Sequence, residues 1–200
     1  MRTYLPPRSQ KNRSKEKMRV IAGSARRIPL AAPSGTKTRP TSDRAKEGLF
    51  GAISARVEGA SFLDLYCGSG QVGIEALSRG AALAVFVDSC PDAVYVLRHN
   101  LEKTRLRGDI MHQDVPSAIR RLGKRGTRFD VVFLDPPYGK GLVEETLQLI
   151  AQECVLNNGA LVIAESETKL VDKIPGSLYL YETRAYGAAN FLFMEFGDSV

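Results

Sequence analysis

Short apolar blocks separated by helical periodicity dominate the chain. SFLDLY (61–66), ALAVFV (82–87), FDVVFL (129–134) and ALVIAE (160–165) read as strands, with a shorter one at 109–113. Between them lie helical patterns at 70–80, closed by Gly80, at 91–104, opened by Pro91, at 115–122 and at 141–153. SLYLYETRAYGAANFLFMEF (177–196) holds two strands around Gly187 with no helix between them. It predicts a hairpin that puts one antiparallel strand into the sheet. Upstream, MRVIAG and RRIPLAAP alternate weakly about Gly23-Ser24, a small hairpin, and 34–40 form a loop. Ala45, Leu49, Phe50 and Ile53 share one helix face behind the possible N-caps Thr41, Ser42 and Asp43. The strand–helix alternation predicts an α/β domain with a mostly parallel sheet and helices on both faces.

Composition changes this picture in one respect. The net charge is +6, and it is unevenly placed. Residues 1–46 carry thirteen Lys and Arg against two acids, whereas 47–200 carry fifteen against twenty. A basic, polyanion-binding arm on an acidic body is the reading. Residues 1–17 are polar, basic and broken by Pro6-Pro7, a flexible tail without a secretory h-region. The expected organisation is a tail at 1–17, a hairpin and helix extension at 18–57, and a catalytic domain at 58–200. No apolar run approaches a membrane span. Three cysteines without CxxC spacing read as reduced thiols, and His99 and His112 lack metal-ligand company, so no metal is expected. A cytoplasmic protein without a membrane or an obligate protein partner is the expectation.

In open sheets of this kind ligands bind beyond the carboxyl ends of the strands. Four successive strands end there in a carboxylate: Asp64, Asp88, Asp114 and Asp135. Gly68-Ser69-Gly70-Gln71-Val72-Gly73 fits G-x-G-x-x-G. Asp88, fifteen residues after Gly73, could bind ribose hydroxyls, which keeps a nicotinamide-dependent oxidoreductase open. Asp64, just before the turn, suits a cationic ligand better than a pyrophosphate. Asp135-Pro136-Pro137-Tyr138 has no task in that alternative. Two prolines fix φ and remove N–H donors, so this turn presents carbonyls, a carboxylate and an aromatic ring.

DLYCGSGQVGIEALSRGA, Asp88 and DPPYG together resemble the class I S-adenosylmethionine-dependent methyltransferases that modify exocyclic amino groups. MRVIAGSARRIPLAAPSGTKTRPTSDRAKEGLF narrows the resemblance to the RsmD family of 16S ribosomal RNA (guanine-N2) methyltransferases, from about Met18 to the C-terminus. It implies a Rossmann-like class I fold of seven strands, one antiparallel. It implies S-adenosylmethionine held at Tyr66, Cys67, Gly68, Ser69 and Gly70, with the methionine moiety on the glycine turn and Asp64 near its cationic side. Asp88 with Ser89 would serve the ribose, Asp114 with Val115 the adenine, and Arg39 and Thr41 would close over the site. Asp135 and the Pro136 carbonyl would accept the amine N–H bonds, Pro137 would rigidify the turn, and Tyr138 would stack on the base. Arg19, Arg26, Arg27, Lys37 and Arg44 would contact phosphates of ribosomal RNA or of an assembling small subunit. An adenine-N6 methyltransferase and a nonenzymatic RNA-binding protein on a degenerate methyltransferase fold stay open beside it.

Overall fold

A computed structural model describes residues 18–33, 43–137, 141–166, 174–186 and 189–197. In chain order they form α1 (Asp43–Ala52), a 3-10 turn (Ser54–Arg56), β1 (Ser61–Leu65), α2 (Gln71–Ser78), β2 (Leu83–Asp88), α3 (Pro91–Thr104), β3 (Asp109–His112), α4 (Val115–Lys124), β4 (Phe129–Leu134), α5 (Leu142–Gln152), β5 (Leu156–Glu165), β6 (Leu178–Tyr186) and β7 (Ala189–Phe196). The strands make one sheet in the order β3-β2-β1-β4-β5-β7-β6. Pairing is parallel from β3 to β5, and β7 runs antiparallel to both β5 and β6. The expected hairpin therefore inserts its second strand, leaving β6 at the edge. Order reverses at β1, whose neighbours β2 and β4 connect in opposite directions, so a ligand crevice opens there.

Alternation along the strands divides the core between two faces. Phe62, Phe86, Phe133, Ile163 and Phe191 pack with α1, α2, α3 and the 18–33 arm. Leu63, Leu65, Val132, Val162 and Met194 pack with α4 and α5 on the other face. Each fully buried phenylalanine contributes roughly 1.5–3 kcal/mol of hydrophobic stabilisation.

The N-terminal hairpin is shorter than its alternation implies. It contains one bridge, Arg19 to Pro29, closed by backbone bonds such as Val20 N to Ile28 O (3.0 Å) and Leu30 N to Met18 O (2.8 Å), and further polar groups of the arm bond to the body. Glu75 of α2, fully buried, accepts from the N–H groups of Ile21 (2.7 Å) and Ala22 (3.0 Å) and from Arg79 Nε (2.7 Å). Ser78 Oγ accepts from Ala25 N at 3.0 Å, and its carbonyl accepts from Ser24 N at 2.8 Å. A Cβ on Gly23 would lie 1.7 Å from that carbonyl, so the arm can approach α2 this closely only through a glycine. Lys46 is fully buried and donates to the Arg19 carbonyl at 2.6 Å. No helix among the described residues is long and apolar enough to cross a membrane.

Candidate active site

β1 ends in a turn whose geometry is set by three left-handed residues. Tyr66 has φ 58°, Gly68 φ 52° and Gly70 φ 76°. Only glycine adopts this region without strain, so Tyr66 is held there by its surroundings. Its hydroxyl bonds Thr146 Oγ1 of α5 at 2.9 Å, tying the turn to the opposite face of the sheet. Cys67 N donates to Val87 O and Gly70 N to Cys67 O, at 3.1 and 2.7 Å. A Cβ on Gly70 would meet Leu97 Cδ1 at 2.3 Å, and one on Gly73 would meet the Phe86 ring at 2.4 Å. Those two glycines let α2 and α3 close onto the sheet. Gly68 differs: a Cβ there would touch nothing within 4 Å. Its backbone faces open space at the carboxyl edge, where a ligand can approach.

The carboxylates around this turn have different surroundings. Asp64 is 1% exposed, and its Oδ2 accepts from Gly73 N at 2.8 Å beneath the turn. Burial pushes its carboxyl up to about 7 against the pull of that bond, with the Asp88 charge adding to the rise. Asp88 splits its oxygens between Gly68 N and Cys90 N, each at 2.8 Å, and each oxygen keeps further acceptor capacity. Asp114 is exposed and caps α4 by accepting from Ser117 N at 2.8 Å, a bond that holds its carboxyl below the ordinary range. Ser89 is exposed and Val115 buried beside these last two. Burial pushes the Cys67 thiol well up, so it is a packing group beside Ser69, which is also buried.

Asp135 follows β4, the strand paired with β1, so it stands next to the Tyr66–Cys67 turn. Pro136 is buried and Pro137 exposed. Burial pushes the Asp135 carboxyl up to about 8, with Glu165 and then Asp64 adding to the rise. Glu165, at the end of β5, is 6% exposed and carries no sequence motif. Asn100 was equally inconspicuous. It is fully buried, its Oδ1 accepts from Ala31 N at 2.8 Å, and its Nδ2 donates to Ala31 O at 3.1 Å and Ser69 O at 2.9 Å. One side chain thus joins the N-terminal arm to the glycine turn.

Not every expected site residue converges. Lys37, Arg39, Thr41 and Tyr138 lie outside the described residues. Arg26 and Arg27 are exposed but sit where the arm meets Ser78, the end of α2 remote from the turn. Eight helical residues, roughly 12 Å of axis, separate them from Gly70. Arg19 pairs with Asp43 at 3.0 Å, and Arg44 is exposed on α1. Among the described residues no group of His, Cys, Asp or Glu side chains could hold a metal ion. A groove of about 400 Å³ between β3 and α4, lined by His112, Arg121 and Arg125, lies on the sheet's outer flank, away from Asp135.

The sequence profile of the family described as Conserved hypothetical protein 95 matches residues 18–195. The chain belongs to this family. It is 36% identical over 173 residues to YlbH of Bacillus subtilis, covering 85% of this chain and 94% of that protein. It is 33% identical over 171 residues to ribosomal RNA small subunit methyltransferase D of Escherichia coli, covering 85% of each. The solved structure of yhhF from Escherichia coli superposes with a TM-score of 0.82 at 30% identity, covering 92% of this chain and 99% of that one. A more distant neighbour is the Thermus thermophilus 16S rRNA N2 G1207 methyltransferase RsmC, in complex with AdoMet and guanosine. It has a TM-score of 0.67 at 20% identity, covering 90% of this chain and 49% of that one, and shows the shared fold. The family's sheet is the Rossmann-like class I methyltransferase sheet, and its members include methyltransferases.

Proposed function

We propose that this chain methylates the exocyclic N2 amino group of a guanine in small-subunit ribosomal RNA, using S-adenosylmethionine. The observation that carries this reading is the pairing of β1 with β4. It sets an acidic, open-faced glycine turn directly beside Asp135-Pro136-Pro137. The relative named ribosomal RNA small subunit methyltransferase D supports the substrate class, and the RsmC neighbour supports guanine N2. Naked RNA and an assembling subunit both present such a base, and the basic surfaces of the arm suit either polyanion.

The residues present fit the cofactor. The open side of the glycine turn at Gly68 and the α2 N-terminus would receive its methionine moiety, and Asp88, which already holds Gly68 N, keeps acceptor capacity for two ribose hydroxyls. Asp114 and Val115 would border the adenine. When bound, S-adenosylmethionine supplies an electrophilic methyl group on a sulfonium. Asp64 lies under the helix N-terminus, bonded to Gly73 N, where it suits the cationic ammonium and sulfonium that accompany the methionine carboxylate; the pyrophosphate of a nicotinamide cofactor would bring two negative charges and no cation to this end.

Guanine N2 is a poor nucleophile because its lone pair is delocalised into the ring. Asp135 and the Pro136 carbonyl would accept its two N–H bonds and direct the lone pair at the methyl group. Catalysis is then chiefly orientation, with stabilisation of the charge that develops on nitrogen. Calorimetry with S-adenosylmethionine and NAD, followed by mapping of methylated bases in RNA from cells with and without the gene, tests the proposal. NAD binding without S-adenosylmethionine binding would refute it.

A further inference from the structure

Charge is unevenly placed within the body as well. Residues 98–128 carry nine Lys and Arg against three acids, whereas the rest of 47–200 carries six against seventeen. All nine cations are exposed, and among the described residues none of them is ion-paired.

The fold gathers this segment around one edge of the sheet, where β3 is the edge strand. α3 packs on one face through Leu97 and Leu101, and α4 on the other through Ala118, Ile119 and Leu122. Cations from both helices and from the loops at their ends therefore surround β3. The groove of about 400 Å³ between β3 and α4 runs the length of that strand. His112 and Gln113 line it at the carboxyl edge, where His112 pairs with Asp88. Arg121 and Arg125 line it from α4, one helical turn and about 6 Å of axis apart. Arg121 makes one long bond, 3.4 Å, to Gln113 Oε1, which leaves most of its donors open. Among the described residues Asp109 is the one carboxylate of the lining, at the end remote from His112.

Two ordinary effects account for part of this charge. Cations near a helix C-terminus complement its dipole, which covers Lys103 and Lys124. Charged side chains also keep an edge strand from pairing with another chain, but that protection is indifferent to sign. Neither effect calls for a concave surface of one sign, or for Arg107 and Arg128 beyond the helix ends.

We propose that this groove and its basic rim form a second RNA-binding surface, which takes phosphates of the ribosomal RNA that flanks the target base. This rests on the methyltransferase reading. β3 stands three strand spacings from β4, about 14 Å. RNA that delivers a base to Asp135 thus crosses the carboxyl edge within reach of His112 and can turn down the flank. Arg121 and Arg125 present planar guanidinium forks that suit phosphate oxygens.

The test uses the full chain with 16S ribosomal RNA transcribed in vitro, the assembled small subunit, and S-adenosylmethionine. Joint replacement Arg121→Gln and Arg125→Gln keeps helix propensity and touches no buried position. It should weaken binding of the transcript and lower the salt slope by about 1.4–1.8, the counterion release of two phosphates. S-adenosylmethionine affinity and melting temperature should stay at wild type. Arg184→Gln, on the opposite edge strand β6, should leave the slope unchanged. Hydroxyl-radical footprinting of wild type gives a readout that needs no variant. Oxidation of Met111 and His112 in the groove should fall several-fold when the transcript is added, while Tyr179, 68% exposed on β6, should not change. Unprotected Met111 and His112, an unchanged slope in the double variant, or an equal loss in Arg184→Gln would each overturn the surface and leave the functional reading standing. Protection by the assembled subunit but not by the transcript would put a ribosomal protein in the groove and overturn the phosphate assignment. Wild-type protein that neither binds S-adenosylmethionine nor methylates RNA would refute the functional reading itself.

Discussion

Asn100 joins the arm to the glycine turn through three hydrogen bonds, and two substitutions separate its shape from its chemistry. Asn100→Ala removes all three bonds and leaves the Ala31 N–H and two carbonyls to find new partners. At about 1 kcal/mol net per bond, the loss of stability should be about 3 kcal/mol. Asn100→Asp keeps the shape but replaces the Nδ2 donor with an oxygen facing the Ala31 and Ser69 carbonyls. A carboxylate there is desolvated and repelled, so its folded-state pKa rises above the unfolded value. Protonated, it can donate to one carbonyl; ionised, it can donate to neither. Its stability relative to wild type should be best below about pH 4 and should worsen as pH rises through the raised folded value. Urea unfolding between pH 4 and 8 measures this directly, with S-adenosylmethionine calorimetry in parallel. Both variants should weaken cofactor binding several-fold, because Ser69 loses its brace. An Asn100→Asp deficit independent of pH, or Asn100→Ala within about 0.5 kcal/mol of wild type, would show that this side chain does not couple the arm to the turn.

Gly68→Val should weaken S-adenosylmethionine binding by at least tenfold in calorimetry, since it fills the open face of the turn and forces φ 52° on a β-branched residue. Asp135→Ala should leave cofactor affinity near wild type while methyl transfer falls roughly a hundredfold or more in single-turnover assays. Asp64, whose folded-state value of about 7 exceeds its unfolded value, stabilises the ligand-free protein fully below the unfolded value and loses that contribution as pH rises through about 7. Thermal melts of wild type should therefore fall between pH 5 and 8, and Asp64→Asn should flatten the curve. Replacing Arg26 and Arg27 with Ala should lower RNA affinity and the salt slope without changing cofactor binding; an unchanged slope would remove this end of α2 from the RNA surface.

Strand runs, the glycine turn and the proline turn were legible because each is written in consecutive residues. SFLDLY and FDVVFL become strands whatever surrounds them, and Gly70 and Gly73 announce close packing before the packed rings are known. Glu75, Ser78, Asn100 and Lys46 were not legible. In a helical pattern a polar side chain reads as solvent-facing, and only the arm folded against α1, α2 and α3 reveals that these four are buried. Glu165 ends an obvious strand, but its place beside Asp135 depends on the register between β4 and β5, which local sequence does not encode. Arg26 and Arg27 were grouped with Arg44 by sequence proximity, whereas the arm carries them to the remote end of α2.

The anchoring of the arm also sets a timetable for synthesis. Ile21, Ala25 and Ala31 are translated early, but their partners Glu75, Ser78 and Asn100 follow 53 to 69 residues later. At roughly 5–20 residues per second, about 3–14 s separate the addition of Ala31 from that of Asn100. Until then the Ala31 backbone lacks its partner. The first described part of the chain to be made is thus among the later parts to settle, and slowing translation between residues 31 and 100 lengthens the time it waits.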